Sequence, residues 1–196
     1  MLRKDVRFHD PGFAVTQDDI DQVKKALGGI ALPQDYERFL LRFNGAQPIV
    51  ADNDLSKGQL LRVWWPADTV ADTTDHAALL GSMQEIQGRP ERAADLLKTH
   101  QNIGHLLPPE TVAFARGAGG SCFLFDLRPG RFGEVLYWRY GALGDEAPSA
   151  VNPFHNVGWI AKDFIDFINR IELEPDDFDT WEAALPPDSH VGWHAR

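Results

Sequence analysis

Cysteine is nearly missing from this sequence: Cys122 stands alone among 196 residues. A lone thiol excludes an intramolecular disulfide and a thiolate zinc cage, so a reducing, cytoplasmic setting is the simplest expectation. Long apolar runs are also missing, and none approaches the roughly 20 residues that a membrane-spanning helix needs. Met1-Leu2-Arg3-Lys4 is followed by Asp5, Arg7, His9 and Asp10 rather than by an apolar stretch, so no signal peptide is expected.

Basic charge is scarce. There are 19 Lys and Arg against 29 acids, a formal net charge of -10. Direct nucleic-acid binding needs clustered cations over phosphates, and this balance argues against it. A basic protein partner fits the charge, since complementary fields speed association. Solubility alone is the other reading, and both stay open.

Motifs for catalysis and metal binding are sparse as well. Ser121-Cys122-Phe123 follows Gly119-Gly120, but Phe123 stands where a nucleophile elbow needs Gly. Cys122 reads as a buried structural residue. The loop Asp52-Asn53-Asp54-Leu55-Ser56-Lys57-Gly58 has its Gly one place late for a calcium loop, and Val63 replaces the bidentate Glu. The seven His form no His-Glu-x-x-His pair. Gly117 to Gly120 lacks the Lys-Ser/Thr of a phosphate loop and precedes a strand, so it reads as a hairpin turn. No cofactor, metal or enzymatic activity is expected. An enzyme would need distant residues to assemble around a perturbed acid, His105 or His155.

What is present is an ordinary globular core. The hydrophobic share is 43%, and a chain of this length buries roughly 70% of its unfolded surface. Residues 16–27 read as a helix with Ile20, Val23 and Leu27 inward, opened by a loose capping box of Thr16 and Asp19 and closed by Gly28-Gly29. Pro33 opens a second helix. Its stripe is Tyr36, Phe39, Leu40 and Phe43, and Asn44-Gly45 ends it. Residues 60–65 read as a strand.

Leu79, Leu80, Met83 and Ile86 suggest a short helix over 76–86, and residues 90–100 suggest another. Residues 111–116, 121–127 and 133–140 read as an antiparallel meander. In the last of these, Val135, Tyr137 and Arg139 face one side and Leu136 and Trp138 the other. Residues 141–157 read as a loop, and 161–171 as a helix buried through Phe164, Phe167, Ile168 and Ile171. The order predicts an α+β domain, with helices on one face of a mainly antiparallel sheet.

Four of these segments carry a resemblance. Leu32-Pro33-Gln34-Asp35-Tyr36-Glu37-Arg38-Phe39-Leu40, closing on Asn44-Gly45, resembles the opening motif of the SUKH superfamily. Gly119-Gly120-Ser121-Cys122-Phe123-Leu124-Phe125-Asp126-Leu127 is similar to its central strand. Gly133-Glu134-Val135-Leu136-Tyr137-Trp138 is similar to its Gly-x-Val-x-x-Trp strand. Ala161-Lys162-Asp163-Phe164-Ile165-Asp166-Phe167-Ile168 resembles its closing helix. Residues 66–101 are longer and more helical than a minimal member would have.

The resemblance implies a single α+β domain over 1–171, a twisted, mainly antiparallel (mixed) sheet flanked by helices. Residues 172–196 then form an acidic C-terminal extension, with no Lys or Arg between Arg170 and Arg196. It also implies a non-enzymatic binding protein. The bacterial members are mostly immunity proteins against secreted toxins, often nucleases, and the fungal members are cell-wall-synthesis regulators acting as scaffolds. The first role makes the partner a basic toxin domain, and the second an endogenous protein.

Candidate contact residues are those with a polar-edged ring or a charge for such a partner. On an alternating strand one of Trp64 and Trp65 must face away from the core. In the tail, Asp176, Asp177 and Asp179 would steer while Phe178 and Trp181 anchor. Asp68, Asp72 and Asp75 would add to the same surface. A strand edge or an exposed Trp would serve a homodimer equally well.

Overall fold

A computed structural model of the protein describes residues 1–50, 60–65, 77–88, 94–140, 153–154 and 157–174. In chain order the elements are β1 (Val6–His9), α1 (Gln17–Ala26), α2 (Gln34–Phe43), β2 (Gln47–Val50), β3 (Leu61–Trp64), β4 (Ala77–Met83) and α3 (Leu96–Ile103), then a 3-10 turn at Gly104–Leu106, with another at Ala118–Gly120 between the next two strands. They continue as β5 (Thr111–Gly117), β6 (Cys122–Asp126), β7 (Val135–Trp138), β8 (Val157–Ala161), α4 (Phe164–Asn169) and β9 (Ile171–Leu173).

The main sheet has seven strands in the order β8-β7-β6-β5-β4-β3-β9, and β1 pairs with β2 in a separate ribbon. Every pairing within these sheets is antiparallel. β3 to β8 form a meander, and the chain then returns from β8 at one edge to β9 at the other. Strands lie about 4.8 Å apart, so a flat sheet of this width would hold its edges about 29 Å apart. The return runs through α4, whose six residues cover about 9 Å. The sheet must therefore curl until its edges approach. Arg170, between α4 and β9, shows that it does: its guanidinium carbon lies 4.9 Å from the ring centroid of Trp64 on β3 and 5.5 Å from that of Trp159 on β8.

The concave side holds the main core. Tyr36, Phe114, Phe125 and Phe164 pack ring on ring at its centre, with Phe114 and Phe125 stacked at 4.1 Å. Helices α1, α2 and α4 supply Ile20, Val23, Tyr36, Phe39, Leu40, Phe164, Phe167 and Ile168 to it. α1 opens with the expected capping box: Asp19 N–H donates to Thr16 Oγ1 and Thr16 N–H to Asp19 Oδ2.

A second, smaller core lies on the other face of β5 to β8. Ala113, Cys122, Leu124, Leu136 and Trp138 are buried there under Leu107, with Ile103, Leu106 and Phe154 packed alongside. β6 and β7 are thus buried on both faces, and the sheet is covered on both sides rather than on one.

Two helices differ from the sequence reading. Residues 76–86 do not form a helix: Ala77–Met83 is strand β4. Its register shifts between Leu80 and Ser82 opposite β5, a bulge that turns both Leu80 and Met83 into the main core although they are three apart. That spacing imitates a helix. The following helix begins later than residue 90, at Leu96, where the Asp95 carboxylate caps it by accepting from Lys98 N–H at 2.8 Å. The closing helix is also shorter than 161–171, because Ala161 still belongs to β8 and Ile171 opens β9. Among the described residues no helix is long and apolar enough to cross a membrane.

Candidate functional site

The motif residues are consumed by the fold. Asn44 takes a left-handed conformation at the end of α2 (φ 32°), and Gly45 follows at φ 78°. The Asn44 side chain is buried and behaves like a strip of backbone. Its Nδ2 donates to the carbonyls of Phe13 (2.8 Å) and Ile86 (2.9 Å), and its Oδ1 accepts from Ile86 N–H (2.9 Å). It thereby ties the N-terminal segment to the end of β4. Gly45 lies so close to Glu85 that an added Cβ would sit 2.6 Å from the Glu85 Cβ.

Tyr36 is wholly buried, its hydroxyl donates to Gln84 O at 3.3 Å, and burial pushes its pKa far up. In the Gly-x-Val-x-x-Trp strand, Gly133 (φ 88°) donates to Asp126 O at 2.8 Å and lies against Pro33. Asp126 is buried and forks onto Arg128, whose guanidinium also lies 4.0 Å from the Phe154 ring centroid. Tyr36, Asn44 and Asp126 are buried and so are not presented to a partner.

The two candidate nucleophiles, Cys122 and Ser121, are equally enclosed, whereas His105 is exposed. Cys122 is buried in the smaller core, and burial pushes its thiol up to about 11, so little thiolate forms near neutral pH. Ser121 Oγ accepts from Tyr140 N–H at 3.3 Å. His105 lies in the 3-10 turn after α3, while His155 and the loop 52–58 fall outside the described residues. Among the described residues no cluster of three or more His, Cys, Asp or Glu could hold a metal ion.

The tryptophan pair separates as strand alternation requires. Trp65 is 3% exposed and stacks on Tyr137 at 5.5 Å, while Trp64 is 40% exposed. Trp65 lines an open cleft of about 300 Å³ together with Ala78, Gly119, Tyr137, Arg139 and Tyr140.

Trp64 belongs to the outer face of β3, β4 and β9. Trp64 stands opposite Ala77, and Arg62 opposite both Leu79 and Glu172. Leu60, next to β3, is 43% exposed. Arg62 contacts Glu172 at 2.7 Å and Glu174 at 3.5 Å.

Sequence reasoning singled out Trp64 but missed Leu60, Arg62, Leu79 and Arg170. It gave Glu172 and Glu174 to a tail, yet Glu172 lies in β9 and Glu174 N–H donates to Leu60 O at 2.9 Å, so the sheet extends past residue 171. Only the pairing of β9 with β3 reveals this, and that pairing is remote in sequence. Asp68, Asp72 and Asp75 lie outside the described residues, as do Asp176, Asp177, Phe178, Asp179 and Trp181. In sequence the first three fall between Trp65 and Ala77, which both line the cleft.

A family model described as the SMI1 / KNR4 family (SUKH-1) matches residues 14–170. The chain belongs to that family. The SUKH match covers all four resembling segments, the α1 helix before them and the 66–101 stretch between them. SUKH proteins are generally non-enzymatic binding proteins, and membership supports an immunity or SMI1/KNR4-type protein-interaction role for this one. Neither the curated proteins nor the solved structures compared with this SUKH chain gave a match.

Proposed function

We propose that this SUKH protein is a cytoplasmic immunity protein. It binds a polymorphic bacterial toxin, of the nuclease type, and covers its active or substrate-binding surface. Family membership over residues 14–170 is the observation that carries the reading, and the net charge of -10 selects the partner's chemistry. A nuclease must hold phosphates and so presents cations. An acidic protein meets that surface and competes with nucleic acid for it. No turnover is involved: the mechanism is occupancy.

The proposed contact surface has Trp64 as its aromatic anchor, with Asp68, Asp72 and Asp75, which follow it in sequence before β4, contributing charge. Asp176, Asp177 and Asp179 steer the encounter, and Phe178 and Trp181 add contacts from the extension that follows β9. Trp65 supports this surface from beneath, through its stack on Tyr137. An immunity protein must hold its toxin at nanomolar Kd or below, which corresponds to about -12 kcal/mol.

The test is a tagged pull-down from the native host, with each captured protein purified and its nuclease activity assayed. A captured nuclease whose activity falls to background at one equivalent of this protein supports the reading. Capture of housekeeping proteins without such activity favours the scaffold role and removes the toxin from the account.

A further inference from the structure

The outer face of β3 and β9 sets an exposed indole beside two carboxylates. Trp64 is held from both sides, by β4 through its register with Ala77 and by Arg170, whose carbonyl accepts Trp64 N–H at 3.2 Å. The Arg170 guanidinium engages the indole at 4.9 Å, while 40% of the residue stays open to solvent. Beside it, Arg62 is one cation between two carboxylates. It uses Oε1 of Glu172 and Oε2 of Glu174, and since the nearby Arg170 and Arg3 are paired with Asp166 and Asp5, one negative charge is left in excess. Both carboxylates remain more than one-third exposed. Leu60 and Leu79 supply apolar ground around them.

We infer that this face, Leu60, Trp64, Glu172 and Glu174, is a docking site for an arginine or lysine side chain of a basic protein surface. The cation stacks on the open side of the Trp64 indole and takes the carboxylate oxygens that Arg62 leaves. A ring with a carboxylate beside it suits a guanidinium particularly well, because the planar group stacks and donates in its own plane at once. The excess charge argues against other occupants. The acidic extension of this chain, a second copy at -10 and nucleic-acid phosphates would all meet like charge here. Of the other exposed aromatics among the described residues, Phe132 (48%) has Arg131 as its chain neighbour, which disfavours a cation there. This inference names the partner chemistry of the surface proposed above and rests on that reading.

The test uses the full ¹⁵N-labelled chain and blocked octa-arginine, with octa-glutamate as the control. The Trp64 indole N–H and the amides of Leu60, Glu172 and Glu174 should shift with octa-arginine and stay still with octa-glutamate. Affinity should fall at least tenfold in Trp64→Ala. It should also fall at least tenfold in the Glu172→Gln/Glu174→Gln double variant, whose amide oxygens can still hold Arg62. Shifts centred on the α1 acids, or wild-type affinity in the double variant, would overturn the assignment.

The two proposals fail separately. If octa-arginine binds here but no toxin is neutralised, the site stands and the immunity reading falls. If a toxin is neutralised equally well by Trp64→Ala, the reverse holds.

Discussion

Arg170 stacks on Trp64 across the seam where the two ends of the curled sheet meet. The same guanidinium reaches Trp159 on the opposite edge strand and pairs with Asp166 at 3.2 Å. Its Nε and Nη1 are buried without a hydrogen-bond partner, so the two indoles are what compensates them. Arg170→Ala should cost about 1–3 kcal/mol in urea unfolding, the range for a desolvated cation–π contact plus a lost ion pair. Arg170→Lys should recover only part, because an ammonium cannot stack as a plane. A loss within about 0.5 kcal/mol, as for an ordinary surface change, would mean that the seam is held by the core alone.

Asn44 offers a separable test of the motif. Asn44→Ala deletes three hydrogen bonds, two of them buried, and leaves the Ile86 N–H unpaired, so a loss of at least about 3 kcal/mol is expected. Asn44→Gly deletes the same bonds but relieves the left-handed backbone, and should be milder by about 0.5–1 kcal/mol. Equal losses in urea denaturation would show that the backbone at this helix end is unstrained.

Asp126 links stability to pH. Burial acts to raise its pKa, but the hydrogen bonds from Arg128 outweigh it and the net shift is downward. A group whose folded pKa is depressed stabilises the fold above its unfolded value, about 3.9, and loses that contribution as pH falls through the folded value. Asp126→Asn should therefore lower the melting temperature at pH 7 and flatten its decline below about pH 4. Melting curves that stay parallel to the wild type down to pH 2 would contradict the pairing.

The steering idea concerns rates. Reversing Asp176, Asp177 and Asp179 to Lys should slow association with the captured toxin about tenfold at low salt, and less at high salt, with little change in dissociation. Stopped-flow association at wild-type rates in low salt would remove the extension from the encounter.

Much of the fold was legible where one local period governs a segment. The stripes of α1 and α2, and the Gly-bounded alternation of β5 to β7, are such cases. β4 was not, because its bulge brings Leu80 and Met83 to one face and so imitates helical spacing. β1, β2, β8 and β9 are as short as β6 and β7 but lie far in sequence from the strands they pair with, so no tight turn marks them, and the partner of β9 is more than a hundred positions away. At the site, alternation separated Trp64 from Trp65 in advance. Arg170 and Glu172 could not be placed there, since only the curl and the β3–β9 pairing bring them beside Trp64.

The central claim is neutralisation, and the most direct measurement is growth. Cells expressing the captured partner alone should stop growing, and co-expression of this protein should restore growth to that of cells carrying neither. Cells that grow equally well with the partner alone, or that die despite co-expression of a stably folded copy of this chain, would contradict the account.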